Sequence, residues 1–473
     1  MNNVYQDREI VKSTVPLAVV LVLACGAQLM VVLDGLIVNV ALPDMRSALG
    51  LSLSAQQWVV NGYLITFGGL LLLAARTADL IGHRRVFLIG IAVFTLASLA
   101  GGLAQDGAVL LTARVVQGVG AAALAPSSLS LLTMTHTGEH RARALSIWSA
   151  TSGSAGALGL VLGGIVTSTL GWRWVLLINV PIGMALWIVA SASLVPSREA
   201  GRIALDVPGT ATVTLGVGSL VYGISQVQQD GWSSVQVVVA LVASAGLLAT
   251  FLAIERSSAA PLVPLPVLRR RNIVVANAIV ACLGAIMTAT LYFLSLYQQR
   301  VLGESPLRTG LALVPMSVVL TGGAIASKSL LPRFGARRLA IVGSAIMCAG
   351  LSWLATISVE ANYPVHILGP TLLWAAGASI VTMPCVALAT GGIEPELAGL
   401  ASGLVNTARQ TGGAIGLAAL TAVAAAASAH AHDARPLDRI VHGYDIALLA
   451  AAGVALVLIP LALQTRTNRT VRP

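Results

Sequence analysis

An aspartate interrupts the first long apolar segment of this chain. Asp34 lies within a run that begins near Val15 and continues to Ala41. An ionisable side chain near the middle of a bilayer costs roughly 2.5–3.5 kcal/mol, so such residues are rarely retained there without a function. A carboxylic acid at this depth can bind and release a proton. Its presence predicts a membrane protein that moves protons, ions or polar solutes.

Two further polar residues could act on the same proton. Arg114 lies about seven residues into the apolar segment that begins near Gly107, and Gln117 follows it. Asp34 and Arg114 are both expected in the middle-to-outer part of the membrane. A neighbouring arginine favours the ionised carboxylate and burial favours the protonated one, so this balance suits a proton carrier. Two alternatives stay open: a purely structural ion pair, or an Arg114 side chain that reaches the lipid headgroups.

The elements that position these residues are predicted to be membrane helices. Of the 473 residues, 56% are hydrophobic and 10% are charged, whereas a soluble domain carries about 25% charged residues. A helix needs about 20 apolar residues to cross a bilayer. Segments of that kind begin near Val15, Gln57, Val86, Gly107, Ala144, Trp174, Val207, Val235, Ile273, Thr309, Leu339, Val365, Leu400 and Ile446. We therefore predict an all-α integral membrane protein with fourteen transmembrane helices.

The distribution of basic residues predicts the orientation of these helices. When alternate loops are assigned to the inside, twenty Arg and Lys residues fall on the inner side and six on the outer side. Cytoplasmic loops of membrane proteins carry such an excess, so both termini are expected in the cytoplasm. The net charge of +10 follows from this topology. Because the basic residues are scattered over loops, they do not predict nucleic-acid binding.

The remaining reactive side chains do not predict an enzyme. The four cysteines lie far apart in apolar segments, where they are expected to pack as small hydrophobic residues: Cys25, Cys282, Cys348 and Cys385. The sequence shows no Ser/His/Asp cluster, phosphate-binding loop or metal-ligand set, so no catalytic site, cofactor or ATP-driven pump is predicted. His430 and His432, beside Asp433, form only a weak metal-binding pattern, and no metal is expected.

Internal repeats divide the chain into two halves. Segment 75–90 aligns with segment 328–343, and segment 155–160 aligns with segment 412–417. The two alignments have nearly the same offset, which indicates a duplicated unit. We predict an N-terminal six-helix half at 1–200, an inserted helix pair at 201–260 and a C-terminal six-helix half at 261–473.

Two motifs give the chain a family resemblance. Residues 32–43 read VLDGLIVNVALP and residues 172–183 read WRWVLLINVPIG. Both resemble signatures of the fourteen-helix drug:proton antiporters of the major facilitator superfamily, although Leu36 stands where that family usually has Thr. The resemblance implies a major facilitator fold, with two parallel six-helix halves. It also implies proton-coupled export of small amphipathic drugs or antibiotics, with Arg114 and Gln117 beside the proton-carrying Asp34.

A loop motif between the second and third helices resembles the cytoplasmic gate of that superfamily. It consists of Asp79, Gly82, Arg84 and Arg85. Gly82 permits a tight turn, and Asp79 can lie at a helix N-terminus or pair with an arginine. The resemblance implies a latch that closes the inner side and breaks when the two halves rock. Departures at Ala75 and Leu80 leave open that the two arginines only set the topology.

A glycine stripe on the fifth helix resembles the antiporter motif of exporters. Its members are Gly153, Gly156, Gly159, Gly163 and Gly164. Their spacing of three or four residues places most of them on one face, where another helix can approach closely. Leu160 stands where the exporter motif has Pro. A proton symporter for a small metabolite, on the same fold, is therefore the alternative to export.

The substrate cavity is expected between the two halves, lined by helices 1, 2, 4 and 5 and their counterparts. The residues predicted to contact substrate are Met30, Asn39, Asn61, Tyr63, Asn406 and Arg409. Asp34 is the only carboxylate expected well inside the membrane, which argues against strong selectivity for dications. The expected partners are a drug-like small molecule, protons and the lipids of a bacterial cytoplasmic membrane. The chain is expected to be a monomer.

Overall fold

The computed structural model describes residues 16–195, 205–258, 261–263, 270–390, 398–431 and 435–465. In these residues the chain is helical and forms no β-strand. Thirteen helices are long and apolar enough to cross a membrane, and one bent helix provides a fourteenth span. The prediction of an all-α protein with fourteen membrane helices is confirmed.

The helices are numbered here by span. The first six are α1 (Leu17–Leu49), α2 (Leu53–Ile81), α3 (His83–Gly102), α4 (Gly107–Thr135), α5 (Gly138–Leu170) and α6 (Arg173–Ser193). The inserted pair is α7 (Val207–Asp230) and α8 (Val235–Ser257). The last six are α9 (Arg271–Val301), α10 (Pro306–Phe334), α11 (Ala336–Leu354), α12 (Tyr363–Ala389), α13 (Ala398–His430) and α14 (Pro436–Leu463).

The predicted helix starts are accurate to within about six residues except at the last helix. α14 begins at Pro436, well before the predicted start at Ile446. Its first turns contain charged residues, which lower the local hydropathy although they belong to the helix. Asp445 therefore lies inside a membrane helix, where it is half-buried. The expectation that Asp34 is the only carboxylate well inside the membrane is wrong for this reason.

The first repeat forms the same turn twice. Gly82 ends α2 with a φ of 98°, and Gly335 ends α10 with a φ of 75°. Glycine adopts such positive φ values without steric cost. Each glycine N–H donates to the carbonyl four residues earlier, Ala78 in one copy and Leu331 in the other, at 3.0 Å. Equivalent turns at equivalent positions support a duplicated unit.

The second repeat places one glycine-rich helix on a partner in each half. In the first half, Gly163 of α5 lies against the Ile37 carbonyl of α1. In the second half, Gly412 of α13 lies against the Ala281 carbonyl of α9. The absence of a side chain lets these helix backbones approach closely. Residues 200 and 260 fall outside the described residues, so the boundaries of the three-part division stay a prediction.

The inserted helices pack on the outside of the bundle. α7 lies against α2, where Ser54 donates a hydrogen bond to Gln226 at 3.0 Å and the rings of Trp58 and Tyr222 are 6.2 Å apart. α8 packs on α7 and exposes a row of valines, of which Val235 is 77% accessible. An exposed apolar helix face of this kind fits contact with lipid acyl chains.

α5 is bent although it lacks the proline of the exporter motif. The helix axis turns by 40° between Gly156 and Leu158. Leu160 is fully buried, and its carbonyl lies against Gly310 of α10. The bend lies in the glycine-rich part of the helix, where glycine weakens helix formation. Leu160 therefore does not keep α5 straight.

A larger side chain at Gly163 is expected to destabilise the bundle. A Cβ atom at this position would lie 2.9 Å from the Ile37 carbonyl oxygen, so Gly163→Val must push α1 away from α5. Overpacking of this kind costs roughly 1–3 kcal/mol. The measurement is the melting temperature of the purified protein in detergent. Gly246→Ala on α8 is the control, because no atom lies within 4 Å of its added Cβ. An unchanged melting temperature for Gly163→Val would contradict the packing described here.

Candidate functional site

The structure brings the two predicted intramembrane charges together. The Arg114 Nη1 atom lies 2.6 Å from Asp34 Oδ2, and both side chains are almost completely buried, at 1% and 0% exposure. Asp34 comes from the middle of α1 and Arg114 from the outer part of α4. A hydrogen-bonded ion pair in this position compensates two charges that would each be costly alone.

Two amide side chains complete the surroundings of the carboxylate. Gln117 Nε2 donates to Asp34 Oδ1 at 2.8 Å, and Asn179 Nδ2 of α6 donates to the same oxygen at 2.9 Å. Gln117 also accepts from Arg114 Nη1 at 2.6 Å and donates to Ser98 Oγ at 2.8 Å. The carboxylate thus receives three N–H donors, which is the complement of an acid that has released its proton.

Asn179 and Ser98 are site residues that the sequence interpretation missed. Asn179 belongs to the motif at 172–183, and an amide within an apolar span was a usable signal. Ser98 carried no such signal, because serine hydroxyls in helices commonly bond the preceding turn, as Ser98 does with the Phe94 carbonyl at 2.7 Å.

Tyr63 of α2 holds the arginine from the other side. The Arg114 guanidinium carbon lies 4.5 Å from the centre of the Tyr63 ring, in the geometry of a cation–π contact. The Tyr63 hydroxyl donates to the Val31 carbonyl at 3.2 Å. Arg114 Nε donates to the Val59 carbonyl at 2.9 Å. The guanidinium is therefore fixed by α1, α2 and α4 together.

A cavity of about 840 Å³ lies between the two halves. Its walls come from α1, α2, α4, α5, α9 and α13, together with Leu262. Its size falls in the range of pockets for drug-sized molecules, and its lining is mixed apolar and polar. Tyr63 lines this cavity, whereas Asp34 does not. The Tyr63 ring consequently separates the cavity from the ion pair behind it.

Four of the six residues predicted to contact substrate line the cavity: Asn39, Tyr63, Asn406 and Arg409. Met30 and Asn61 do not, and both are buried in the helix packing. Successive helical residues are about 100° apart around the axis, so Asn61 points away from the direction of Tyr63. Met30 is likewise turned away from Val31, which lines the cavity.

One end of the cavity is closed by hydrogen bonds between the halves. Ser295 Oγ of α9 donates to the Asn39 carbonyl at 2.8 Å, and Gln299 Nε2 donates to the Val40 carbonyl at 2.9 Å. The opposite end reaches the α2–α3 turn, where Asp79 and Arg141 line the cavity and are exposed. The cavity is therefore accessible from the end of the bundle that carries the α2–α3 turn.

The predicted gate residues lie at this accessible end. Asp79 Oδ1 contacts His83 Nε2 at 3.3 Å, and Arg84 Nη2 donates to the Ser191 carbonyl of α6 at 2.8 Å. Within the described residues, Asp79 and Arg84 do not form an ion pair. Gly82 makes the tight turn expected of it, and Arg85 follows in the first turn of α3. The gate residues are adjacent here without a bond between the halves.

The glycines of α5 face two different helices. Gly156, Gly159 and Gly163 lie against α1, next to Leu36, Leu33 and Ile37 respectively. Gly153 and Gly164 face α10 of the other half, next to Thr321 and Pro306. α5 thus contacts both halves and rests on the backbone of Leu33, the residue that precedes Asp34.

The weak metal pattern lies mostly outside the described residues. His432 and Asp433 fall in that part, and His430 ends α13 with its Nδ1 atom 2.7 Å from the Ala426 carbonyl. Among the described residues, no group of three or more His, Cys, Asp or Glu side chains is placed to hold a metal ion.

Comparisons with known proteins agree with the geometry of the site. The family model of the Major Facilitator Superfamily matches residues 24–417. A cephamycin export protein of Amycolatopsis lactamdurans is 40% identical over 450 residues, which cover 94% of this chain and 91% of that protein. A puromycin resistance protein of Streptomyces alboniger is 39% identical over 463 residues, covering 95% of this chain and 91% of that protein.

Solved structures show the same fold at low sequence identity. A peptide transporter of the POT family superposes with a TM-score of 0.68 at 16% identity, covering 97% of this chain and 99% of that one. A D-xylose–proton symporter superposes with a TM-score of 0.65 at 14% identity, covering 95% and 99%. On the extent of the family match and of these similarities, the chain belongs to the Major Facilitator Superfamily.

Proposed function

We propose that this chain exports small amphipathic molecules of the drug or antibiotic class across the bacterial cytoplasmic membrane in exchange for protons. The observation that carries the proposal is the buried carboxylate of Asp34, held by three donors directly behind the wall of a drug-sized cavity. The similarity to proteins named for cephamycin export and puromycin resistance supports the choice of substrate class.

Asp34 is the proton carrier in this proposal. A proton on Oδ2 removes the ion pair with Arg114, whose Nη1 atom already donates to Gln117. The guanidinium then keeps its bonds to Gln117 and to the Val59 carbonyl, so it does not lose every partner. The site therefore has two arrangements of similar bonding, which is what a reversible proton carrier requires.

Tyr63 links the proton site to the substrate. Its ring is part of the cavity wall and also covers the Arg114 guanidinium. A molecule that displaces this ring opens the ion pair to the water of the cavity. Proton release from the site and occupation of the cavity are coupled by the same side chain.

The excess of basic residues assigns the end with the α2–α3 turn to the cytoplasm. The cavity is then accessible from the cytoplasm and closed on the outside, which is the state that accepts substrate for export. Transport requires the hydrogen bonds of Ser295 and Gln299 to α1 to break. Asp79, Arg84 and Arg85 form the latch that closes the cytoplasmic end in the alternate state.

The proton gradient provides sufficient free energy. One charge crossing about 150 mV yields roughly 3.5 kcal/mol. At about 1.4 kcal/mol for each factor of ten, one proton sustains a substrate gradient of roughly three-hundredfold.

The symporter alternative loses its main support in this geometry. It depends on Leu160 in place of the exporter proline, yet α5 is bent by 40° without that proline. Similarity to a D-xylose–proton symporter concerns the fold alone. The direction of substrate movement under an imposed pH gradient separates the two functions.

Asp34→Asn is expected to abolish driven transport. Inverted membrane vesicles with an acidic interior should accumulate an amphipathic dye with the wild-type protein, and nigericin should collapse that accumulation. The variant should accumulate no more than vesicles without the protein, because an amide cannot bind the proton. Asp44→Asn near the end of the same helix makes the same chemical change and should retain transport.

A second measurement separates coupling from folding in the Asp34→Asn variant. Exchange of labelled for unlabelled dye across proteoliposomes needs no proton gradient, so it should persist. Driven accumulation that survives in Asp34→Asn would refute the assignment of Asp34.

Substitution of Tyr63 is expected to separate proton movement from substrate movement. Tyr63→Leu loses the ring over Arg114, a contact worth about 0.5–2 kcal/mol, and opens the ion pair to the cavity. Proteoliposomes with this variant should leak protons without substrate, measured with an internal pH dye. Tyr63→Phe keeps the ring and loses only the bond to Val31, so it should stay coupled. Equal leaks in both variants would contradict the partition role of the ring.

A further inference from the structure

The deep part of the cavity contains one charged side chain, and it is a cation. Four charged residues line the cavity: Arg76, Asp79, Arg141 and Arg409. The first three lie at the accessible end, in the last turns of α2 and the first turn of α5. Arg409 instead lies on α13, beside the level of Gly68 in the middle of α2, where the next residue Gln410 contacts that glycine.

Arg409 has donors that the protein leaves unused. Its side chain is exposed to the cavity, and its Nη2 atom donates to Asn406 Oδ1 at 2.9 Å. A guanidinium carries five N–H donors and no acceptor. Among the described residues, no carboxylate lies within ion-pairing distance of Arg409. A cation at this depth is costly without a counter-charge, which here can come from the molecule in the cavity.

The carboxylates of the chain are not available to provide that counter-charge. Asp34 is occupied by Arg114, Gln117 and Asn179 behind the Tyr63 ring and does not line the cavity. Asp79 lies eleven residues beyond Gly68 on α2, a distance of roughly 16 Å along the helix. The positive potential around Arg409 is therefore not cancelled from within the cavity.

Apolar and amide side chains surround the space in front of this cation. Phe67, Leu64 and Met287 line the cavity on α2 and α9, while Asn406 and Gln410 flank Arg409 on α13. A planar guanidinium binds a carboxylate through two parallel hydrogen bonds. The lining combines one such anion-binding group with an apolar wall, the complement of an amphipathic acid.

We propose that the transported molecule is an amphipathic organic anion, whose acid group binds Arg409 and whose apolar part lies against α2 and α9. This inference rests on the proposed export function and specifies the substrate class of the same cavity. It also assigns the two arginines different tasks: Arg114 holds the proton-carrying acid, and Arg409 holds the acid of the substrate.

The test compares three probes with the same pyrene ring: 1-pyrenebutyrate, its neutral amide and a pyrenebutyl trimethylammonium cation. Binding is measured by fluorescence anisotropy with the protein in phosphatidylcholine nanodiscs, and empty nanodiscs provide the background. The wild-type protein should bind the carboxylate roughly tenfold or more tightly than the cation, as expected for a hydrogen bond between charged groups.

Three variants identify the role of the charge. Arg409→Gln should lose the preference for the carboxylate and bind the amide as the wild-type protein does. Arg409→Lys keeps the charge and should retain most of the preference, which also shows that the site folds. Arg308→Gln removes an exposed arginine outside the cavity and should change nothing. Preference for the cation in the wild-type protein, or an unchanged carboxylate preference in Arg409→Gln, would overturn the proposal.

Transport of the amide keeps this test apart from the test of the proposed function. Under an inside-acid gradient, inverted vesicles with Arg409→Gln should still accumulate the neutral amide while carboxylate accumulation falls roughly tenfold. If no probe accumulates even in wild-type vesicles, proton-driven export fails, and the binding preference still decides the substrate class. If the amide accumulates but the carboxylate binds no better than the cation, export stands and the anion assignment fails.

Discussion

The buried charge of Asp34 is the constraint on which the N-terminal half depends. An ionised carboxylate in this position must find hydrogen-bond donors inside the protein, because burying it unpaired would cost several kcal/mol. Those donors and their supports come from α2, α4 and α6, and Ser98 adds α3 through Gln117. α5 joins through glycines that rest on the backbone of α1. One carboxylate on α1 thus fixes the arrangement of all six helices.

The two halves share a duplicated architecture but use their polar residues differently. In the first half the arginine is buried against an acid and shielded from the cavity by an aromatic ring. In the second half Arg409 is exposed to the cavity and bonded to an amide. The repeated turns at Gly82 and Gly335 retain the ancestral symmetry, while the membrane interior has lost it. A proton site in one half and a substrate site in the other agree with this division.

Hydropathy predicts the depth of a residue in the membrane but not its direction around the helix. The fourteen helices and the meeting of Asp34 with Arg114 therefore followed from the sequence, since both depend on depth. Met30 and Asn61 lie at suitable depths yet point into the packing, because the cavity-facing side of each helix depends on its neighbours. Asp445 was missed because charged residues conceal the start of α14. Ser98 and the bend of α5 depend on tertiary packing, which one sequence does not display.

α1 gives the proposed exchange a direct mechanical route. It carries Asp34, and one to two turns further along it carries the carbonyls of Asn39 and Val40, which accept the hydrogen bonds that close the far end of the cavity. The glycines of α5 hold the same stretch of α1 from the opposite side. A change in the bonding of Asp34 therefore acts on the helix that also carries the closing contacts. Because those contacts are hydrogen bonds to backbone carbonyls, a small shift of α1 along its axis is sufficient to weaken both.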